Sequence, residues 1–457
     1  MTTSPTRFDA AWNAALDHAD LAAAALGRDV VLARDLLGRT SLLIDDREDP
    51  IPTDASELAD TKTAFAAATF PFTGLEPLQT ASALFAPELF FDVSELIEVT
   101  PRHDGAGRVA VLERTVVGGD WAAVGAEVEP QPVRQTRRLA FYGFKGGVGR
   151  STATTVLARS LAERGHCVLV VDLDLESPGV SNLLAEPGAT PPHGIVDHLV
   201  ESAVGNADGL ELVARSSILP PEQGNGEVWL APAAGTPLAG RPYDYLAKLN
   251  RIYSDLPADV PGGAPRPFAQ RLEDAIAACE AQVEEKGRRP DVVLLDSRAG
   301  IHDIAAVTLT KLCDQALLFA VDNPSTWDGY RMLLSQWKLR PDRARALRDR
   351  IRIVAAMFHS AGDIDRLNTL RRHAYDVFME TLYNLSDDEY DEPFLPVKGE
   401  VDDKPYAPIP ILFGNDLVGL DPLRSRNWPE LPFVRAAYRE FVDTVEKLVL
   451  DPYEDKS

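Results

Sequence analysis

The sequence predicts an α/β chain: a mostly parallel, doubly wound sheet with helices on both faces, preceded by a small α+β domain. Three observations predict it. Short, fully apolar runs alternate with helical segments through the last two thirds of the chain, and several of those runs end in a carboxylate. A polar, proline-punctuated stretch separates them from a first third of different character. Strands that are apolar on both sides belong to a parallel sheet covered by helices on both faces. The chain's 457 residues suffice for two or three domains.

In chain order, Phe8 to Leu26 is alanine-rich with helical periodicity. Arg108-Val-Ala-Val-Leu-Glu-Arg and Thr115-Val-Val, followed by Gly118-Gly-Asp-Trp, read as strands and a turn. Residues 1–122 are therefore expected to form a small α+β domain, in which nothing spells out chemistry. Residues 123–137 carry glutamates and prolines without periodicity and read as a linker. Residues 138–457 are expected to form the main domain. Arg138-Leu-Ala-Phe-Tyr-Gly is its first strand; a glycine-rich turn and a helix from Ser151 to Arg164, stopped by Gly165, follow. Further strands are Val168–Val171, which leads into Asp172, then Val292–Asp296, Ala316–Asp322, Ile351–Phe358 and Ile409–Phe413. Helical patterns lie between them at Phe268–Lys286, Ile301–Leu312, Trp327–Leu339 and Asp363–Tyr383. Such sheets bind ligands beyond the carboxyl ends of their strands, where these acids stand.

Composition narrows the function. With 46 Lys+Arg against 70 Asp+Glu, the formal charge is −24, which disfavours nucleic acid and anionic lipid as partners. The three cysteines, Cys167, Cys279 and Cys313, form no C-x-x-C pair, so neither a zinc knuckle nor a disulfide framework is offered. No signal-like start and no apolar run of bilayer length is present. A soluble, cytoplasmic protein is expected. The stretch Asp387–Asp403 holds eight carboxylates and one lysine. It reads as an exposed loop or as a docking strip for a basic partner.

The turn after the first strand of the main domain reads Gly143-Phe144-Lys145-Gly146-Gly147-Val148-Gly149-Arg150-Ser151-Thr152. Glycines let backbone N–H groups fold around phosphate oxygens, and the following helix adds its positive end. Ser151 is placed to ligate a magnesium ion. This segment resembles the deviant Walker A motif of the MinD/ParA-type P-loop ATPases, and most of all their KGGVGR-motif variants. The resemblance covers about residues 138–450. It implies a P-loop sheet that binds ATP and Mg²⁺ through Gly146 to Thr152. It also implies hydrolysis to ADP and phosphate, and a homodimer in which Lys145 reaches the partner's phosphates. The relatives point to a bacterial regulatory or defence-like system, and so to a protein partner the sequence does not name. Arg150 departs from the pattern, since it stands where the family's P-loop lysine stands. Arginine is a planar fork and lysine a compact point charge. Three readings stay open: hydrolysis with altered geometry, a nucleotide switch with very slow turnover, or a degenerate structural loop. Phe144, where many such loops have their first glycine, belongs to the same reshaping.

Asp172-Leu-Asp174-Leu-Glu176-Ser resembles the family's D-x-D segment. That resemblance makes Asp174 the group that orients the attacking water and places Asp172 near the metal. The alternative is that Asp172 caps a turn and Asp174 is solvated. Asp296-Ser-Arg298-Ala-Gly300 resembles the Walker B end and its switch loop. Asp296 would then hold Mg²⁺ through water, and the Gly300 N–H would follow the γ-phosphate. Arg298 would touch phosphate or pair with Asp172 or Glu176. In Asn323-Pro-Ser-Thr-Trp327 the choice is between a loop near the nucleotide and a helix cap at Ser325 or Thr326. His359 is a candidate adenine contact. The arginines at 340, 343, 345, 348, 350 and 352 form either a solvated face or a docking cluster. The helix Phe433–Leu450 has its bases matched by acids and reads as packing on the sheet, with no membrane role. Two other readings compete with the ATPase. One is a non-hydrolysing nucleotide-binding adaptor; the other is a ParA-like, DNA-associated partitioning ATPase. An iron–sulfur carrier is disfavoured by the missing cysteine pair.

Overall fold

The computed structural model describes residues 7–93, 96–99, 107–114, 121, 136–219, 225–236, 243–256, 265–339, 341–358, 364–383, 404–417, 419–425 and 427–450. The chain separates into two compact units, residues 1–130 and 131–457. The linker expected at 123–137 falls, apart from its last two residues, outside the described residues. So do the strand expected at Thr115–Val117, the acidic stretch up to Asp403, and His359.

The first unit is a five-stranded mixed sheet with two long helices and a short one, Glu88–Phe91, among the described residues. Its elements are α1 (Phe8–Leu26), β1 (Val30–Arg34), β2 (Thr40–Ile44), α2 (Ser56–Thr69), β3 (Thr73–Thr80), β4 (Ile97–Val99) and β5 (Val109–Glu113), with strand order β3-β2-β1-β5-β4. Alanines at positions 11, 15, 19, 22 and 23 recur at helical spacing and are buried, so α1 lies close on the sheet. Its stripe joins Val30, Leu32, Leu42, Ile44 and Phe65 in one core. The guanidinium of Arg34 lies 3.9 Å from the Trp12 ring centre and is paired to Glu113 at 2.6 Å.

The second unit is built on an eight-stranded sheet. Its elements are β6 (Arg137–Gly143), α3 (Arg150–Glu163), β7 (Cys167–Leu173), α4 (Ile195–Ser202), β8 (Ala214–Arg215), β9 (Glu227–Ala231), α5 (Phe268–Lys286), β10 (Val292–Ser297), α6 (Asp303–Val307), β11 (Gln315–Ala320), α7 (Pro324–Leu334), β12 (Ile351–Phe358), α8 (Ile364–Phe378), β13 (Ile409–Leu412) and α9 (Pro432–Leu450). The order is β13-β12-β11-β6-β10-β7-β9-β8, parallel throughout except for the β8–β9 edge. Every residue of β7, β10 and β11 is buried, because helices cover both faces. On one face Leu139, Phe141, Val168, Val170 and Leu294 pack with Leu157 of α3 and Phe441 and Val445 of α9. Arg138 of β6 is itself buried and ion-pairs with Glu273 and Glu280 of α5, each at 2.8 Å. That ties the central strand to the helix in front of it.

Chain direction around β6 fixes the site. The strands β10 and β7 lie to one side of it and β11, β12 and β13 to the other. The carboxyl end of β6 therefore sits at the topological switch point, where such sheets open a crevice.

Candidate phosphate-binding site

The loop 144–149 leaves β6 and turns directly into α3. Gly147 and Gly149 take φ of +72° and +83°, which a side-chain-bearing residue adopts only with strain. Ideal β-carbons on Gly146, Gly147 and Gly149 would meet open space, so the loop crown and the first turn of α3 face a clear volume. Behind it, Phe144 lies flat against α7. A β-carbon on Gly329 would come within 2.2 Å of the Phe144 ring, so that glycine lets the aromatic dock. Tyr330 completes the wall: its hydroxyl donates to the Phe319 carbonyl at 2.8 Å and receives the Phe144 N–H at 3.4 Å. The phenylalanine inside the loop is thus an anchor to α7.

Four polar side chains converge beside the loop. Ser151, in the first turn of α3, donates its hydroxyl to Asp296 Oδ2 at 2.6 Å. Asp296, next to last in β10, is in direct register with Asp172 on β7. Both carboxyls are fully buried. Burial first, then the charge of Asp296, pushes Asp172 up to about 7 against the pull of Ser181 and the Asp174 amide. Burial pushes Asp296 up to about 6, with Asp174 adding and Arg150 and Ser151 opposing. Asp174 is raised too: burial and Glu176 lift it, while Arg150 and Arg298 hold it down. Four buried oxygens here have no hydrogen-bond partner among the described residues: Asp296 Oδ1, Asp174 Oδ1, Ser297 Oγ and Glu176 Oε2, the last of which is ion-paired to Arg298. Buried polar atoms are normally satisfied, and a cluster of acceptors left open on carboxylates suits a cation with its waters.

Asp172 lies beside Asp296, but its oxygens are engaged within the protein. Oδ2 accepts from the Ser181 N–H at 3.1 Å and hydroxyl at 2.7 Å, and Oδ1 accepts from the Asp174 N–H at 3.2 Å. The side chain therefore ties down the loop that carries Asp174. Asp174 is half-buried rather than solvated, and faces Arg150 Nη2 at 3.6 Å. Arg150 is buried, and its Nη1 donates to the Ser297 carbonyl. One guanidinium thus links the start of α3 to the ends of β7 and β10. Gly300 donates its N–H to the Gly143 carbonyl at 3.3 Å, and its own carbonyl receives the Tyr142 hydroxyl at 3.1 Å. Lys145 is exposed, with its ammonium 5.5 Å from the Phe144 ring centre. Val148 is buried under the loop, and Thr152 is half-buried one residue into α3 beyond Ser151.

Several alternatives from the sequence resolve. Arg298 pairs with Glu176 at 2.6 Å. The cap of α7 is Asn323, whose side chain accepts the Thr326 N–H at 2.9 Å, with Pro324 opening the helix; Ser325 and Thr326 lie inside it. Arg350 turns inward onto the carbonyls of Cys313 and Asp314. Arg350 is therefore no part of a solvated face; Arg340 and the side chain of Arg343 lie outside the described residues. Nothing in the sequence marks Ser297, His302, Tyr245 or Tyr253, and all four touch this site.

A family model described as the CobQ/CobB/MinD/ParA nucleotide binding domain matches residues 139–380. The chain is 27% identical over 207 residues to the cytosolic Fe-S cluster assembly factor CFD1 of Eremothecium gossypii, covering 43% of this chain and 68% of that protein. It is 54% identical over 44 residues to the NUBP2 homolog of the same description from Culex quinquefasciatus, covering 10% and 17%. Among solved structures, a ParA family ATPase from Chlorobium tepidum superposes with a TM-score of 0.38 at 13% identity, covering 67% of this chain and 98% of that one. Among the described residues no helix is long and apolar enough to cross a membrane.

Proposed function

The chain belongs to the CobQ/CobB/MinD/ParA nucleotide-binding family, and on that premise we propose that it is an ATP-driven molecular switch. In this reading it binds ATP with Mg²⁺, dimerises on the nucleotide, hydrolyses it and signals to a protein partner. The observation that carries the reading is the Ser151–Asp296 hydrogen bond of 2.6 Å at the mouth of an open glycine loop, with the second Asp296 oxygen buried and unpartnered. Backbone N–H groups of Gly146 to Thr152 would cradle the phosphates with the N-terminus of α3. Ser151 and Asp296 would hold the magnesium ion, with Asp172 fixing the neighbouring loop. Bound there, the ion would supply positive charge against the phosphates. Asp174 would orient the attacking water, the Gly300 N–H would leave Gly143 for the terminal phosphate, and Lys145 would reach across the dimer. Residues 1–122 would form the domain that relays nucleotide state, joined through 123–137 to the ATPase domain 138–457.

The cysteines do not fit the iron–sulfur role in the names of two relatives. Cys167 lies on β7, Cys279 on α5 and Cys313 just before β11, and all three are buried. Burial pushes the Cys167 thiol up to about 12 and Cys279 higher, whereas cluster ligands are thiolates. A second reading, nucleotide binding without turnover, draws on the Arg150–Asp174 pair, since the arginine occupies the carboxylate assigned to the water. Calorimetry with ATP, ADP and AMP, together with a phosphate-release assay, separates the cases. Binding with release supports the switch, and binding without release supports the adaptor. No ATP binding at millimolar concentration overturns both.

A further inference from the structure

Two residues beyond Asp174 the loop after β7 carries Glu176, which receives donors from two other parts of the chain. Its Oε1 accepts the Tyr253 hydroxyl and faces His302 Nε2 at 3.3 Å; its Oε2 faces Arg298 Nη1 at 2.6 Å. Arg298 and His302 bracket Gly300 on the loop after β10. Tyr253 belongs to the segment 243–256, which precedes α5. The rings of Tyr253 and His302 meet edge-on with centres 4.9 Å apart. His302 also caps α6, its Nδ1 accepting the Ile304 N–H at 3.4 Å. That leaves Nε2, the ring nitrogen facing Glu176, to carry the proton. Burial lowers the His302 pKa, in keeping with the neutral ring this tautomer requires. The same segment makes a second contact: Tyr245 donates its hydroxyl to the Leu175 carbonyl.

A half-buried carboxylate that accepts one hydroxyl and faces a guanidinium and an imidazole within 3.3 Å holds its surroundings only while all three groups stay in place. Removing one leaves charge poorly compensated. A shift of the loop carrying Asp174, or of the loop carrying Gly300, must therefore break or drag the others. We propose that Glu176 is the positioning residue that locks these two loops into one unit, and that Tyr253 passes their state to the segment 243–256. This deepens the nucleotide-switch reading and rests on it. The segment 243–256 becomes the place where nucleotide state leaves the phosphate site.

The test is amide hydrogen exchange on the full chain with ADP·Mg²⁺ and with a non-hydrolysable ATP analogue. In wild type, residues 144–152 should be protected by nucleotide, and residues 243–256 should exchange several-fold more slowly with the analogue than with ADP. Tyr253→Phe removes one hydroxyl and keeps the ring. It should abolish the nucleotide dependence at 243–256 while leaving protection at 144–152 intact. A merely structural tyrosine would instead raise exchange at 243–256 equally in both nucleotides. Glu176→Gln should give the same uncoupling. It should also lower kcat by about 10-fold or more with little change in KM, as misplacement of a water-orienting group does. Glu176→Asp, which keeps the charge, should restore part of that loss. If Tyr253→Phe and Glu176→Gln both keep the wild-type difference at 243–256, the inference is wrong. It is equally wrong if wild type shows no difference there although 144–152 is protected. Absence of protection at 144–152 overturns the nucleotide reading itself, and this inference with it.

Discussion

Arg150→Lys is the most informative single change, because the arginine is both the sequence's departure from its family and the structure's link between two loops. Its guanidinium donates to the Ser297 carbonyl with one nitrogen and faces Asp174 at 3.6 Å with the other. A lysine ammonium is one point on a differently shaped stem, so it can serve either partner but not both. The residue is buried, so water does not make good the loss. A hydrogen bond to a charged group contributes about 1.5–3 kcal/mol. If the arginine holds Asp174 and Ser297 in place during the reaction, losing one contact lowers turnover roughly 10- to 100-fold. The assay is phosphate release at saturating ATP·Mg²⁺, with calorimetry to show that nucleotide still binds. Turnover in Arg150→Lys equal to or above wild type would refute the reasoning. A clear gain over wild type would make Arg150 a brake on Asp174 and favour the adaptor reading.

Other outcomes follow from the same geometry. Lys145→Ala should bind ATP but fail to dimerise with the non-hydrolysable analogue in sedimentation, because Lys145 is exposed and pairs with no carboxylate among the described residues. Ser151→Ala should weaken the Mg²⁺-dependent part of ATP binding in calorimetry by about 10-fold, since it removes the hydroxyl at the metal side; unchanged Mg²⁺ dependence would dismiss that role. Asp174→Ala should leave ATP binding largely intact and lower kcat, and wild-type turnover would show that another group orients the water. Asp172 supplies a pH test. Its folded pKa, about 7, lies above the ordinary 3.8, so the folded state holds the proton more tightly. Its contribution to stability is fully present below the ordinary value and is lost as pH rises toward about 7. The melting temperature of Asp172→Asn minus that of wild type should therefore grow across this window and level off above it. A constant difference would contradict the assignment.

The glycine loop and the strand-terminal acids were legible because their chemistry is local. Gly143 to Thr152 is contiguous, and a parallel strand buried on both faces announces itself as an apolar run. Helices with a clear stripe, such as Phe8–Leu26 and Phe268–Lys286, could be bounded from the sequence for the same reason. The strand Glu227–Ala231 was not legible. It is five residues long, opens on a charge, and is recognisable only through its pairing with β7. The hairpin Val30–Arg34 and Thr40–Ile44 escaped likewise, since arginines and serine interrupt its apolar pattern. The partners of Arg150 and Glu176 were out of reach for a different reason. Ser297 lies 147 residues beyond Arg150 and Tyr253 lies 77 beyond Glu176, and no spacing rule joins such pairs. At Asn323 the sequence did contain the signal, an Asn-Pro start followed by Thr, and the cap belongs to the residue before the proline.

The sheet order makes these long-range links work as one device. Because β10 is inserted between β6 and β7, the loops leaving β7 and β10 start side by side next to the phosphate loop. Each is bound to the other twice. On the phosphate side Arg150 joins Asp174 to Ser297, and on the outer side Glu176 joins its own loop to Arg298 and His302. The inner bridge engages Asp174 beside the phosphate loop, and the outer bridge engages Glu176 two residues further along the chain. A phosphate drawing on Arg150 would weaken the inner link and leave Asp174 a buried carboxylate short of positive charge, which is costly. The outer link would still hold the two loops together, so that strain has to appear as movement of the pair rather than separation within it. Under the proposed function, this pair would be the element whose arrangement the nucleotide shifts. It also explains why an arginine can stand at this position: a point charge could grip phosphate, but it could not span two loops.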